Sequence, residues 1–460
     1  MTTHPSVESP PPASDTEKSR AFLHPGLKVP FILIVACFAA WGLAGNLTDP
    51  LVSVFGSVFS MSALQSSLVQ FAYYGAYFAL AIPAAWINAQ LGYKGGVLIG
   101  LLLAATGGLL FFPASQVMTY TMFLIALFTL AAGLSILETS ANPFVMAMGP
   151  EHNATRRLNF AQAFNPVGSN LGVLLAAIFI LPHVNPATAE DRAALTQSEL
   201  ETMQSAELQA VMGPYIVLAL LYIALAIAIG MARLPKHRPL MADPKGEAQV
   251  LPGNRLVRLM KNRRYSFGVI AQFFNIAAQT CIWTFTLHYM MENIGADATV
   301  AGYWLQASLL VFLVSRFVMV ALMGRFDPRR LMTIMCIVGV GLSVIAVVSG
   351  NIIGAVAIVL LSACISLLFP TIYGIALQGL GPDTKYGAAG LVMAIVGGAL
   401  VPLIQGWVID ISSAQVSYLV VTVCFLVIVA YGFYVLKVAP LASEEPPAEA
   451  ESAGLDSPRE

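Results

Sequence analysis

Long, nearly uncharged apolar stretches recur along the whole chain and are separated by short polar breaks. Each stretch is long enough to cross a bilayer as a helix, which takes about 20 mostly apolar residues. Charged residues make up 10% of the chain and apolar residues 58%, so a water-soluble domain could not cover this apolar surface. Strands of a membrane barrel would be about ten residues long and would alternate in polarity. The sequence therefore predicts an all-α membrane protein.

Twelve such stretches form two sets of six, one on each side of a basic linker at 235–264. Their predicted bounds are 29–52, 64–91, 95–114, 118–148, 158–182 and 213–234 in the first set, and 265–291, 299–323, 331–349, 352–379, 387–411 and 415–437 in the second. The sequence thus predicts an N-terminal six-helix bundle at 29–234 and a C-terminal six-helix bundle at 265–437. A polar tail at 1–28 and an acidic tail at 438–460 are predicted to be disordered and cytoplasmic.

The distribution of basic residues predicts the orientation of the chain. With twelve spans, all but two of the 23 Lys and Arg residues fall on one side, and the two exceptions are Arg192 and Arg316. Loops next to membrane spans are enriched in Lys and Arg on the cytoplasmic side. Both termini are therefore predicted to be cytoplasmic.

The two sets of spans share one local pattern. The loop after the fourth span begins Gly149-Pro150-Glu151, and the loop after the tenth begins Gly381-Pro382-Asp383. Both preceding spans contain a proline, Pro143 and Pro370, where a membrane helix can break if its freed carbonyls face protein or a cavity. A six-plus-six repeat is typical of transporters of the major facilitator type, although Gly-Pro loops are also common elsewhere.

Several classes of function are disfavoured. The net charge of −1 gives no indication of a nucleic-acid partner. The five cysteines lie inside apolar stretches without the paired spacing of a zinc site or a disulfide framework, so we interpret them as core residues. The six histidines are scattered, and neither a metal cluster nor a nucleophile triad can be assembled. The sequence therefore predicts no enzymatic activity, no metal and no cofactor.

Three charged residues lie well inside the predicted spans: Asp49, Glu138 and Arg316. A charge at bilayer depth costs about 2.5 to 3.5 kcal/mol on insertion scales. Arg316 can snorkel to the cytoplasmic surface or bind a neighbouring carbonyl, which is a structural role. Asp49 and Glu138 have no intramembrane cation in their own half, and a desolvated carboxylate without a counter-ion takes up a proton readily. Both are predicted proton-coupling residues, although Asp49, near the outer end of its span, could instead reach water or cap a helix.

Amide and aromatic side chains accompany these carboxylates at helical spacing. The predicted substrate-binding residues are Trp41, Asn46 and Asp49 in span one, Asn142 in span four, Gln162 and Asn165 in span five, and Asn275, Gln279 and Trp283 in span seven. Steps of three or four residues place each set on one helical face, so we expect one shared aqueous cavity. Uncharged amides and rings suit a neutral polyhydroxylated ligand. Membrane helices also use Asn and Gln to hold neighbouring helices together.

Several segments carry a more specific pattern. One reads Leu137-Glu138-Thr139-Ser140-Ala141-Asn142-Pro143-Phe144-Val145 and continues through Gly149-Pro150 to Arg157-Leu158-Asn159-Phe160-Ala161-Gln162-Ala163-Phe164-Asn165. Others read Asn46-Leu47-Thr48-Asp49-Pro50, Phe369-Pro370-Thr371-Ile372 and Gly379-Leu380-Gly381-Pro382-Asp383-Thr384-Lys385. Across roughly 30–437, these segments resemble the fucose:proton symporter family of the major facilitator superfamily.

The resemblance implies twelve helices in two six-helix bundles, alternating access, and inward sugar transport driven by protons. It also implies that Asp49 and Glu138 match the family's essential carboxylates, with Glu138 as the proton carrier. Asn165 matches an amide that the family associates with sugar recognition. Glu138 resembles the fucose branch of the family, whereas Asp49-Pro50 resembles the hexose branches, so the exact sugar stays open.

Together, these observations predict a proton-coupled importer of L-fucose or a related hexose. It would act as a monomer in a bacterial inner membrane, with a sugar, a proton and the lipid bilayer as partners. A sodium-coupled glucose/galactose-type symporter is an alternative, and a multidrug/proton antiporter fits less well because amide-rich faces suit sugars better than apolar cations. A non-transporting nutrient sensor is disfavoured, since no region is long enough for a signalling domain.

Overall fold

The computed structural model describes residues 21–58, 63–117, 119–179, 195–233 and 254–438, and these ranges are helical almost throughout, without a strand. The helices are α1 (Lys28–Val58), α2 (Ala63–Val117), α3 (Tyr120–Ala147), α4 (Ala154–Gln162), α5 (Phe164–Phe179), α6 (Gln197–Met231), α7 (Arg255–Lys261), α8 (Arg263–Ile294), α9 (Ala298–Leu322), α10 (Pro328–Val348), α11 (Ile352–Ile365), α12 (Leu368–Leu377), α13 (Thr384–Met393), α14 (Gly397–Ile411) and α15 (Ala414–Lys437). The predicted all-α fold is confirmed.

Nine stretches of the described residues are long and apolar enough to cross a membrane. One of them, Ala72–Val117, is 46 residues long, and the helical path of α2 breaks inside it at Gly92, which has a φ of 70°. Glycine adopts positive φ without the penalty that a Cβ imposes, so Gly92 makes the break expected between the second and third spans. Helix α8 is 32 residues long and also has the length to cross, although its amides lower its hydropathy.

Glycines allow several helices to touch through their backbones. A Cβ atom on Gly42 of α1 would overlap the carbonyl oxygen of Asn165 in α5, and one on Gly168 would overlap that of Ala39. In the C-terminal half, a Cβ on Gly397 of α14 would overlap the carbonyl oxygen of Phe273 in α8. Small residues at helix interfaces permit the close packing on which membrane helices depend. The backbones of α1 and α5, and those of α8 and α14, therefore pack in direct contact.

Buried side chains form two apolar cores. The first belongs largely to α1–α6, and the second to α8–α15. The five cysteines, all of them described, are buried and unpaired, which agrees with the prediction that they are core residues. The first core also takes in Tyr265, Phe369, Tyr373 and Leu391 from the second half, so the two halves share apolar packing at one level of the molecule.

The two halves meet at the end of the molecule that carries the loops after α3, α9 and α12. We call it the basic end, because these loops and the residues next to them include Arg156, Arg157, Arg325, Arg329, Arg330 and Lys385. Asn159 of α4 donates to Thr371 Oγ1 of α12 at 3.1 Å. Nearby, the ammonium of Lys385 lies 5.8 Å from the centre of the Tyr93 ring. These contacts link α2 and α4 of the first half to α12 and α13 of the second, so the structure is closed at the basic end.

Prolines explain some helix breaks but not in the way that the sequence predicts. Helix α3 runs unbroken through Pro143, and Asn88 donates at 3.4 Å to the carbonyl of Thr139 that this proline frees. The tenth predicted span does break, between α11 and α12 just before Pro370. The fifth breaks at Ala163, which the sequence analysis did not predict. A proline in a helix frees the carbonyl four residues earlier, so a side-chain donor such as Asn88 satisfies a group that the helix itself cannot.

Candidate substrate and proton site

Glu138 lies in the middle of a fully buried stretch of α3. Its side chain is 1% exposed, and neither carboxylate oxygen accepts a hydrogen bond of standard geometry from the described residues. Two buried tyrosines, Tyr77 of α2 and Tyr373 of α12, lie within electrostatic range of the carboxylate. Glu138 therefore lies at the boundary between the two halves, and no cation in the described part of the chain pairs with it.

An amide pair continues from Glu138 towards the second half. Asn142, one turn along α3, accepts a hydrogen bond of 2.7 Å at Oδ1 from Gln162 Nε2 of α4. Asn142 Nδ2 is buried without a standard hydrogen-bond partner among the described residues. The Asn142 amide thus places a donor next to the Glu138 carboxylate, and a hydroxyl-bearing ligand needs both donors and acceptors.

Arg316 of α9 makes the central contact between the halves. Its guanidinium donates to the carbonyl oxygen of Ser366 at 2.6 Å and to that of Gln162 at 2.9 Å. These are the carbonyls that Pro370 and Pro166 free from their helices. Arg316 also lies over the ring of Phe312, 4.8 Å from its centre. Its side chain is only 4% exposed, so it binds carbonyls, as predicted, and does not snorkel to the surface.

The predicted residues of α1 and α5 make hydrogen bonds of their own. Trp41 donates to the hydroxyl of Tyr77 at 2.7 Å, which links it to the surroundings of Glu138. Asn165 donates to the carbonyl of Phe38 at 3.4 Å, and Asn46 to that of Gly42 in its own helix at 3.4 Å. Asp49 lies on the helical path of α1, but its side chain is outside the described residues.

The amides of α8 form a separate polar face. Gln272 and Asn275 are fully buried, and neither the nitrogen nor the oxygen of either amide has a hydrogen-bond partner among the described residues. Gln279 is half-buried. Trp283 donates to Ser362 at 3.2 Å and packs edge-on against Phe312. No hydrogen bond joins this face to the described residues of α1, α3 and α5, so a ligand would have to bridge them.

Tyr77, Tyr373 and the Asn159–Thr371 contact were not predicted from the sequence. Tyrosine is common in apolar helices, and only the packing of α2 and α12 against α3 brings Tyr77 and Tyr373 to Glu138. A signal was present for Thr371 and Asn159, because both lie in the segments that carry the family resemblance. The resemblance identified the segments but not the pairing between them.

Comparisons with known proteins agree with this architecture. Residues 31–268 and 268–458 each match the family model described as Major Facilitator Superfamily. The chain is 38% identical over 423 residues to the L-fucose-proton symporter of Haemophilus influenzae, with 89% of this chain and 97% of that protein covered. It is 34% identical over 421 residues to the L-fucose-proton symporter of Escherichia coli, with 91% and 94% covered. A glucose/galactose transporter of Brucella abortus is 33% identical over 406 residues, with 86% and 91% covered.

Solved structures give the same result. A crystal structure of a variant of the Escherichia coli fucose:proton symporter, FucP, superposes with a TM-score of 0.83 at 33% identity, covering 89% of this chain and 99% of that chain. A structure of FucP in the outward conformation superposes with a TM-score of 0.82 over the same shares at 33% identity. Similarity of fold and of sequence therefore extends over most of the chain.

Proposed function

The chain belongs to the Major Facilitator Superfamily, and on this premise we propose that it imports L-fucose or a related hexose together with a proton. It spans nearly the whole length of relatives named L-fucose-proton symporter. Relatives named glucose/galactose transporter also match over most of their length. The choice of sugar is therefore left to transport measurements.

The single observation that carries the proposal is the burial of Glu138 with no cation beside it among the residues that the structure describes. A charge in this position is costly, and a neutral, protonated carboxyl is far less so. Glu138 also lies where the two halves pack together, beside Tyr77 and Tyr373. Taking up or losing a proton there changes the cost of closing the halves around it, which is the requirement for coupling.

The amides and rings supply a site for a neutral sugar. Asn142, Gln162 and Asn165 present donors and acceptors from the first half, and Asn275 with Gln279 from the second. Trp41 and Trp283 offer ring faces against which the C–H face of a sugar can pack. In this proposal Asn46 and Asp49 complete the site from α1. A sugar that bridges the two halves would satisfy the unpartnered amide groups of Asn275.

The transport cycle follows from these placements. With the basic end closed, Glu138 takes up a proton from outside and sugar binds between the halves. Neutralising Glu138 removes the cost of enclosing a charge, so the halves can rock and open the basic end. Sugar then leaves, and Glu138 releases its proton to the less acidic interior. One charge moved inward supplies about 2.3 kcal/mol per 100 mV of membrane potential, which sustains a roughly fiftyfold sugar gradient.

The proposal includes the organisation of the chain in the membrane. Twelve spans form bundles at 29–234 and 265–437, and the basic end, both termini and the linker at 235–264 face the cytoplasm of a bacterium. The enrichment of Lys and Arg at one end supports this orientation in an inner membrane. All of the proposed site residues belong to one chain, which supports a monomer as the functional unit.

The proposal is tested by sugar-triggered proton uptake into proteoliposomes that contain a pH-sensitive dye. L-fucose, D-glucose, D-galactose and an osmotically matched non-sugar would be added in turn, each with and without a sodium gradient. Acidification of the lumen by one sugar in sodium-free buffer is the expected result, and it also identifies the substrate.

Two other outcomes would contradict the proposal. Sugar accumulation that requires sodium and produces no acidification would indicate the sodium-coupled alternative. Proton release driven by lipophilic cations, without any response to sugars, would indicate a multidrug/proton antiporter. The amide-rich surroundings of Glu138 favour sugar-driven acidification in sodium-free buffer over both of these outcomes.

A further inference from the structure

Helix α7 (Arg255–Lys261) is a short helix outside the apolar spans, at the basic end. Asn254 caps its start by accepting from Leu256 N at 2.9 Å. Asn262 ends it and caps α8 by accepting from Tyr265 N at 3.2 Å. Only one residue thus separates α7 from α8, a helix long enough to cross the membrane. The position of α7 is therefore fixed where α8 enters the bilayer.

One side of α7 is anchored to the protein. Arg258 forms a two-pronged ion pair with Asp383, with bonds of 2.9 and 2.7 Å. Arg255 lies 4.9 Å from the centre of the Tyr386 ring, and Leu259 is 5% exposed. These contacts leave the opposite side of the helix with nothing from the described residues packed over it.

That opposite side is apolar and basic. Leu256, Val257 and Met260 are 63%, 45% and 67% exposed, and Lys261 and Arg263 beside them are exposed as well. Residues 254–264 contain no acidic side chain. Exposed apolar residues within the spans face lipid tails, but α7 lies outside the spans, so its apolar residues need another partner.

We propose that the outer face of α7, formed by Leu256, Val257, Met260 and Lys261 together with Arg263 at the start of α8, docks on the anionic phospholipid headgroups of the adjacent leaflet. Apolar side chains flanked by basic ones are the composition with which helices lie in a membrane interface. The basic residues complement negatively charged headgroups, while the apolar ones reach the acyl boundary. Because α7 is fixed next to the point where α8 enters the bilayer, lipid is favoured over a soluble protein partner. The inference is independent of the transported substrate.

Lipid binding is tested by native mass spectrometry of the detergent-solubilised full chain, comparing retention of phosphatidylglycerol with that of phosphatidylcholine. The test variant is Lys261→Gln/Arg263→Gln. A matched control, Arg325→Gln/Arg330→Gln, removes two exposed charges from another segment of the basic end. We expect the test variant to retain phosphatidylglycerol about 25-fold less well, at about fivefold for each basic residue, and the control to behave as the wild type.

A second variant, Leu256→Ser/Met260→Ser, keeps every charge and removes apolar side chains that the described protein does not cover. It should weaken retention of both lipids without altering the melting temperature. Retention equal to the wild type in both variants would overturn the proposal. Displacement of phosphatidylglycerol by inorganic phosphate at equal concentration would overturn it too, because it would indicate a simple anion site.

Discussion

The guanidinium of Arg316 donates to the carbonyl oxygen of Gln162 at 2.9 Å across the boundary between the two halves. The same group binds the carbonyl of Ser366 at 2.6 Å. One side chain therefore satisfies the carbonyls freed by Pro166 and Pro370, one in each half. A contact of this kind holds the basic end closed as long as both broken helices stay in place.

Arg316→Met should open the basic end. The variant leaves two buried carbonyls without their donor, at a cost of about 1 to 3 kcal/mol each, and only separation of the halves lets water reach them. Spin labels on Glu151→Cys and Arg330→Cys report the distance across this end. The native cysteines are buried, so they should not take up the label. A longer-distance population is expected in Arg316→Met but not in the exposed-site control Arg325→Gln. Identical distance distributions would contradict this role.

Gln162→Leu should weaken sugar binding. The substitution removes the 2.7 Å hydrogen bond to Asn142 and leaves that amide poorly oriented beside Glu138. We expect the KM for sugar to rise about tenfold to a hundredfold, as for the loss of a buried hydrogen bond. Gln405→Leu is the control, because Gln405 is also buried but bonds to Ser417 instead. An equal rise in KM for both variants would show that the effect is not local to the site.

Asn275→Leu should make the sugar-free protein more stable. Burial of an amide with neither group partnered costs about 1 to 3 kcal/mol, and leucine of similar size avoids that cost. The melting temperature without sugar should therefore rise, and the extra stabilisation by saturating sugar should shrink. Asn159→Leu, which removes a bonded buried amide, should lower the melting temperature. A lower melting temperature in Asn275→Leu would indicate that its amide is satisfied in the sugar-free state.

Arg157→Met should release the segment that precedes α1. The buried guanidinium of Arg157 binds the carbonyls of Val145, Met146, Gly149 and Pro150 at the end of α3, and that of Phe22 in the segment at 21–27. Loss of these charge-assisted bonds should cost about 3 to 5 kcal/mol. We expect faster proteolysis near Phe22 and a lower melting temperature. The guanidinium of Arg156 contacts this segment at the Phe22 ring instead, so Arg156→Met should have a smaller effect. Equal effects of the two variants would contradict the role given to Arg157.

The sequence predicted much of the architecture because membrane helices are encoded locally. Apolar runs set the spans, and Gly92 breaks the helix where a polar interruption was expected. Amides at helical spacing indicated which faces are polar. Glu138 was identifiable because an isolated carboxylate at bilayer depth has few structural explanations.

The sequence could not indicate which residues meet across the two halves. Asn159 and Thr371 are 212 residues apart and bond only because α4 packs on α12. Likewise, a lone arginine in an apolar helix does not reveal which carbonyls it binds. Pro143 and Pro370 have similar surroundings in sequence, yet only the second lies at a break, and the carbonyls that they free accept from different side chains, Asn88 and Arg316. Which donor each carbonyl meets depends on tertiary packing.

The central claim is that Glu138 carries the coupled proton, and Glu138→Gln tests it most directly. Glutamine keeps the size and polarity of a protonated carboxyl but cannot release a proton. Two assays would be run on the same proteoliposomes, with the sugar that causes acidification of the lumen in the wild-type protein. One measures exchange of labelled for unlabelled sugar, and the other measures sugar accumulation driven by a proton gradient. Glu151→Gln, which alters an exposed carboxylate in the loop after α3, is the matched control.

The account predicts that Glu138→Gln exchanges sugar at a rate close to that of the wild type and accumulates none, while Glu151→Gln does both. Accumulation by Glu138→Gln at the wild-type level, with proton uptake intact, would contradict the account and move the coupling proton to another group.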